Sequence, residues 1–389
     1  MNKFVTALLR LLGGLTAAAA LALPLAARPE ATPQEPIPYP IWLKEEVAEG
    51  GYYHKLALDS LDRPHLLYQD SQTWAVHYAT RDGDAVSPGE WQLEDIITTP
   101  GTAATYSYDI AIRPDDTPCL VYAIAPSALP LDTKLVYGCR GPAGWELDEI
   151  DDGGTGAQLA FDAAGRAHIA LTQGESLVYL TWHDDHWWRD TVATNSSGIA
   201  PLLLTTDAQQ RPYLVYRAYQ EGNFAAVLQD NGIWAKTLIE TETFGTPRLD
   251  AAGRLWMVVA HLRDTGGHPP MYVGELLLAR PNDAGGHELE MVDDSLGPFA
   301  SFSYDLALDG ATPHLVYSTA AGLMRYLWWT DEGMVSHAPG SFADGAVSIA
   351  IGNDGQPRLS YSENNILHLV TRRIVLLDES VVLPVIAGP

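Results

Sequence analysis

The sequence predicts an all-β chain, a seven-bladed β-propeller with four-stranded antiparallel blades, closed by its own N-terminal strand. Three observations predict it. One hairpin phrase returns seven times along the chain. Two further strand-like stretches follow most copies. A lone strand of the last kind stands at the other end of the chain, where the seventh copy lacks one.

The phrase reads LALDSLDRPHLLY at Leu56–Tyr68 and IAIRPDDTPCLVY at Ile110–Tyr122. It continues as LAFDAAGRAHIAL at Leu159–Leu171, LTTDAQQRPYLVY at Leu204–Tyr216 and PRLDAAGRLWMVV at Pro247–Val259. The sixth copy, one residue shorter, is LALDGATPHLVY at Leu306–Tyr317, and the seventh is IAIGNDGQPRLSY at Ile349–Tyr361. Each copy is an alternating apolar strand, a turn rich in Asp, Gly and Pro, and a second alternating strand, which is a β-hairpin signature. Asp59, Asp162, Asp207, Asp250 and Asp309 open the turns, where a carboxylate can accept from backbone N–H groups ahead of it. Gly165, Gly253 and Gly355 permit positive φ. The anchors Pro64, Pro118, Ala167, Pro212, Leu255, Pro313 and Pro357 lie 43 to 58 residues apart, a period of propeller blades.

Third strands read AVHYATRD (Ala75–Asp82), KLVYGCRG (Lys134–Gly141), SLVYLTWH (Ser176–His183) and LMRYLWWTD (Leu323–Asp331). Fourth strands read GEWQLEDI (Gly89–Ile96), GWELDEI (Gly144–Ile150), WWRDTV (Trp187–Val192), IWAKTLI (Ile233–Ile239) and HELEMV (His287–Val292). Trp42, Trp91, Trp145, Trp188 and Trp234 recur there, as packing between blades requires. The seventh copy has no such strand, but IWLKEEV at Ile41–Val47 matches it. Full closure removes exposed strand edges, so the N-terminal strand is expected to complete the last blade. The rivals are an open array and a ring closed by Ile374–Leu383.

Composition agrees with many short strands and turns. The 389 residues are 47 % apolar and only 19 % charged, with 34 Gly and 26 Pro. The net charge of −26, with 23 basic residues against 49 acidic, disfavours nucleic acid and anionic membranes. The domain reading is a signal peptide over 1–27, a Pro-rich linker over 28–40, the propeller over 41–373 and a tail over 374–389. Lys3 and Arg10 precede the apolar stretch Leu11–Ala27, which ends in small residues. Its cleavage would export the chain to the periplasm, cell surface or medium, without a transmembrane segment in the mature form. A retained membrane anchor is the alternative. The tail contains LPVIAG, similar to a wall-sorting signal but with Ile386 where that signal has Thr; a last apolar strand is the plainer reading.

Cys119 and Cys139 fall on the second and third strands of unit two. If Tyr122 faces Val136, the cysteines face each other. A structural disulfide or two buried thiols would follow.

Propeller ligands sit over the central channel. The register just before each first strand reads Lys55, Asp109, Gln158, Leu203, Thr246, Asp305 and Ser348, making Lys55, Asp109, Gln158, Asp305 and Ser348 the candidate ligand-binding residues. Asp109 and Asp305 stand in near-duplicate contexts, TYSYDIAI and SFSYDLAL. Two carboxylates aimed at one channel suit a cation such as calcium or an acid/base pair. The plainer reading has each bonding backbone at a strand end. His65, His168 and His314 share a register with Cys119, Tyr213, Trp256 and Arg358 of the other units, so they fan outward on separate blades instead of converging on zinc. No catalytic residue is assigned, because no HExxH, GxSxG, P-loop or GxGxxG in strand–helix context occurs.

The phrasing over residues 41–372 resembles the degenerate repeats of secreted bacterial seven-bladed propellers, the group that includes sialidase-like and lectin-like proteins. The sialidase family carries SxDxGxTW boxes, of which DAAGRLW at Asp250–Trp256 is a distant echo. The resemblance implies the fold. A rigid ring with loops, every unit of it equally ordinary, is what a monomeric binding module for a glycan or a protein surface needs. The competing readings are an extracellular carbohydrate-active hydrolase or lyase using the channel carboxylates, and a cell-surface structural protein.

Overall fold

The computed structural model describes residues 37–377 except for 71, 74, 83–88, 98–103, 125–132, 240–243, 265–271, 297–302, 320, 340–342 and 344. The expected signal peptide, most of the linker and the LPVIAG tail lie outside the described residues. Residues 40–374 form one compact unit.

Every described element is a strand, and the strands form seven antiparallel sheets of four. Numbering blades in chain order, their innermost strands are Tyr53–Leu58, Ala104–Ile112, Thr155–Phe161, Ile199–Thr206, Phe244–Leu249, Tyr304–Asp309 and Val347–Ile351. Each packs against the next, and the last against the first, so the ring is closed.

The turns explain why the phrase forms hairpins. Asp59 Oδ1 accepts from the N–H groups of Leu61 and Arg63 at 3.0 and 2.8 Å. Asp162, Asp207 and Asp250 repeat this at their own turns. Gly253 holds the left-handed position at φ 76°, which Asp62 takes in blade 1 at φ 59°. The shorter sixth turn instead sets Asp309 directly opposite Thr312.

Second strands are buried along nearly their whole length, as in Pro64–Gln69 and Ala167–Gln173, because each blade is covered on both faces by its neighbours. Fourth strands are largely exposed or half-buried, as in Trp91–Ile97, because they form the outer edge of each blade. The core is therefore a set of clusters at the blade junctions.

Blade 7 has the order Ile37–Glu49, Ile366–Leu377, Pro357–Glu363, Val347–Ile351. The N-terminal strand is its fourth strand, as the sequence predicted, and Ile366–Leu377 is its third. The closing strand touches three blades. Trp42 meets Tyr326 of blade 6 edge-on, with ring centroids 5.4 Å apart. Lys44 pairs with Glu363 of its own blade. Glu45 Oε2 lies 2.8 Å from Nη1 of Arg81 in blade 1, and Arg81 is buried.

Cys119 and Cys139 are directly opposed in the ladder of blade 2, with Cα atoms 4.0 Å apart, and form a disulfide. Cys119 is fully buried. Closing a loop of 20 residues is worth about 3 kcal/mol in the chain-entropy picture. The double variant C119A/C139A is expected to lose about that much stability in denaturant titrations. Reductant should lower the wild type to the same level and leave the variant unchanged; a variant as stable as the oxidised wild type would contradict this.

One packing assignment needs correction. Trp188 of blade 3 is 38 % exposed, and Trp187 takes the inter-blade position against Tyr137 at 5.1 Å. Alternate residues of a strand face opposite sides, and the register pairs Trp187 with Trp182, which fixes the side that Trp187 takes.

Candidate functional site: the channel mouth

A cavity of about 580 Å³ lies where the innermost strands begin. Lys55, Asp109, Gln158, Leu203, Thr246, Asp305 and Ser348 all line it, one from each blade. Their ladder partners Leu67, Val121, Ala170, Val215, Val258, Val316 and Ser360 occupy equivalent places on the second strands. One register thus brings seven residues from 55 to 348 into one space.

The two aspartates have partners that the near-duplicate contexts foreshadow. Asp109 Oδ2 accepts from the N–H of Leu159 at 2.9 Å, and Ser107 Oγ accepts from the N–H of Ala157 at 3.0 Å. Asp305 Oδ2 accepts from the N–H of Ile349 at 3.1 Å, and Ser303 Oγ accepts from the N–H of Val347 at 3.1 Å. In both cases a Ser-Tyr-Asp strand fastens itself to the innermost strand of the following blade. The reason is general: an innermost strand has a free edge, and its buried N–H groups need acceptors.

The carboxylates differ in their remaining contacts. Asp305 Oδ1 receives Nη2 of Arg248 at 2.7 Å, while Oδ2 also accepts from the Ser348 hydroxyl at 3.1 Å. A guanidinium therefore stands on Asp305, where a cation could otherwise bind. Burial pushes the Asp109 carboxyl up, against the opposing pull of Lys55, the N–H groups of Leu159 and Ile110, and Arg248. Lys55 is exposed to the cavity.

Arg248 also lines the cavity, although it stands outside the register just before each first strand. The second position of the phrase is Ala57, Ala111, Ala160, Thr205, Ala307 and Ala350 in six units, and Arg248 in the fifth. It lies two residues beyond Thr246, on the same face of the strand, so period two aims both at the channel. The signal was present as a departure from the repeat.

The histidine register is structural. His65, His168 and His314 each hold Nδ1 at 2.6 Å from the hydroxyl of Tyr78, Tyr179 and Tyr326 in their own blades. Nε2 of His65 and His168 faces Asp59 and Asp162 at 3.4 and 3.7 Å. At His65 the carboxylate of Asp59 only accepts, so Nε2 carries the proton there and the Tyr78 hydroxyl donates to Nδ1. Trp256 replaces the histidine in blade 5, donating Nε1–H to Asp250 at 3.1 Å. Among the described residues no group of three or more His, Cys, Asp and Glu side chains is set to hold a metal ion, and no helix is long and apolar enough to cross a membrane.

No protein-family model and no curated protein matches this chain. Solved structures do. A structure described as YCF48 bound to D1 peptide is 14 % identical, covering 87 % of this chain and 98 % of its own, with a TM-score of 0.53. The two share the propeller fold. A protein from Lactobacillus plantarum is 11 % identical over 86 % of this chain and 95 % of its own, with a TM-score of 0.47. SapL1 lectin in complex with alpha methyl fucoside is 12 % identical over 67 % and 89 %, with a TM-score of 0.44.

Proposed function

We propose that the protein is an exported, monomeric binding module that holds a glycan or the surface of a protein at the channel mouth. The observation that carries this is the cavity itself. Its rim combines an exposed ammonium (Lys55), a fixed guanidinium (Arg248), an amide (Gln158) and hydroxyls (Thr246, Ser348). These are groups that orient a hydroxyl- or carboxylate-bearing ligand by hydrogen bonds. The disulfide and the N-terminal apolar segment support export. The YCF48 structure holds a peptide, so this fold serves peptide binding in that protein. The hydrolase reading keeps one supporting observation, the raised pKa of Asp109. Against it, both channel carboxylates are engaged in fastening the next blade.

A glycan array and a peptide array probed with the secreted protein test this. Lys55 is exposed, so Lys55→Ala should leave the melting temperature unchanged. Losing one charge-assisted hydrogen bond should weaken the binding found by about tenfold or more. Binding that Lys55→Ala does not weaken, or silence on both arrays, would sink the reading. Cleavage of an oligosaccharide, abolished by Asp109→Asn, would favour the hydrolase.

A further inference from the structure

Four of the seven blade junctions carry a repeated aromatic pair. A tyrosine from the third strand of one blade meets a tryptophan from the fourth strand of the next. Tyr78 meets Trp145, Tyr137 meets Trp187 and Tyr179 meets Trp234, all edge-on with centroids 5.0 to 5.1 Å apart. Tyr326 meets Trp42 in the same way at 5.4 Å. Between blades 7 and 1, Trp91 packs in one cluster with Leu369. Between blades 5 and 6 Leu278 and Met334 stand in the places of the two rings, and Trp329 from the third strand of blade 6 packs in one cluster with Leu278.

Between blades 4 and 5 both rings are missing. Ala225 faces Val215 as Tyr78 faces Leu67, so Ala225 stands in the tyrosine's place. His287 pairs with Pro281 as Trp145 pairs with Arg140, so His287 stands in the tryptophan's place. A cavity of about 810 Å³ opens there, and Ala225 and His287 both line it. Its walls are mixed, with Val227, Leu255 and Leu289 beside Thr237, Arg254 and Asn282. His287 donates Nε2–H to the Leu255 carbonyl at 2.9 Å, which leaves Nδ1 of the neutral ring as an acceptor.

We infer that this junction is a binding site for a small aromatic molecule of the phenol or indole class. The frame that holds a tyrosine–tryptophan pair elsewhere in the ring is intact here, and its rings are absent. A free aromatic ring regains the burial and edge-on contacts that the side chains supply at the paired junctions. An O–H or N–H on that ring meets the acceptor that His287 provides. The site is separate from the channel and does not depend on the function proposed for it.

Titrating the full-length secreted protein with indole and with p-cresol tests the inference. Amide resonances of Thr237, Gly253, Gly285 and Gly286 should shift saturably, with a dissociation constant of about 1 mM or tighter for ligands of this size. Cyclohexanol, which matches p-cresol roughly in size but has no π system, should bind several-fold more weakly. The variant A225Y/H287W, which rebuilds the missing pair, should lose the response and melt at a higher temperature than the wild type. The inference is overturned if neither aromatic gives saturable shifts, if the shifts map to the channel, or if cyclohexanol binds as well as p-cresol. The wild-type map decides the matter even if the double variant does not fold.

Discussion

A chain that begins at residue 48 should fail to form a cooperatively folded ring, and a synthetic peptide spanning Ile37–Glu49 should restore it. The closing strand supplies the whole fourth strand of blade 7, so its loss exposes the edge of Ile366–Leu377. It also removes Trp42 from Tyr326 and the buried Val47 from a cluster with Leu66, Leu367 and Leu369. The third loss is electrostatic. Arg81 is buried, and without Glu45 its guanidinium keeps no carboxylate partner at that site. Breaking a buried pair costs about 3–5 kcal/mol, and truncating a large buried aromatic costs about as much. These effects together rival the total stability of an ordinary domain. Single substitutions grade the effect: Trp42→Ala should cost about 3 kcal/mol, because the ring is only partly covered. Calorimetry is the measurement. A truncated chain that keeps the wild-type melting temperature would show that the strand does not close the ring.

Acidification should destabilise the protein between about pH 6.5 and pH 4, before most of its carboxylates are protonated. His168 and His314 are lowered to about 4 by burial, which outweighs the attraction of Asp162 and Asp309. Burial lowers His54 and His65 as well. The unfolded chain takes up protons near the ordinary histidine value, and the folded ring does not until near pH 4. The histidine contribution is therefore complete above pH 6.5 and is lost as pH falls toward 4. At about 1.4 kcal/mol per pH unit for each histidine, His168 and His314 together place several kcal/mol at stake. Asp109 acts with the opposite sign, since its raised carboxyl takes up a proton more readily when folded. Asp207, Asp250 and Asp354, held low by their neighbours against the cost of burial, add their loss only at lower pH. Urea titrations at pH 7.5 and 4.5 read the difference. H168Q/H314Q should flatten the slope, because Gln still hydrogen-bonds the tyrosine hydroxyl but takes up no proton. Equal stability of the wild type at both values would refute this account.

The sequence by itself determined the blades, the hairpins and the channel register. These are local properties. An apolar alternation and an Asp-opened turn dictate a hairpin wherever they occur, and seven copies in one register dictate which residues share the axis. The facing of Cys119 and Cys139 came from the same arithmetic, since antiparallel pairing within one hairpin fixes every opposite pair once one is known. Closure by Ile41–Val47 was legible because a missing strand at one end matched a spare strand at the other.

Only the tertiary structure decided what departs from the repeat. Asp109 and Asp305 bond backbone, the plainer of the two readings of the sequence, but that the N–H groups they meet belong to the following blade, about fifty residues away, is a tertiary fact. Arg248 became significant only once Asp305, from the next blade, was seen to receive it. Ala225 and His287 are unremarked in their own strands. Their meaning arises where two blades meet, because a vacancy in packing belongs to a junction and to neither of the segments that form it.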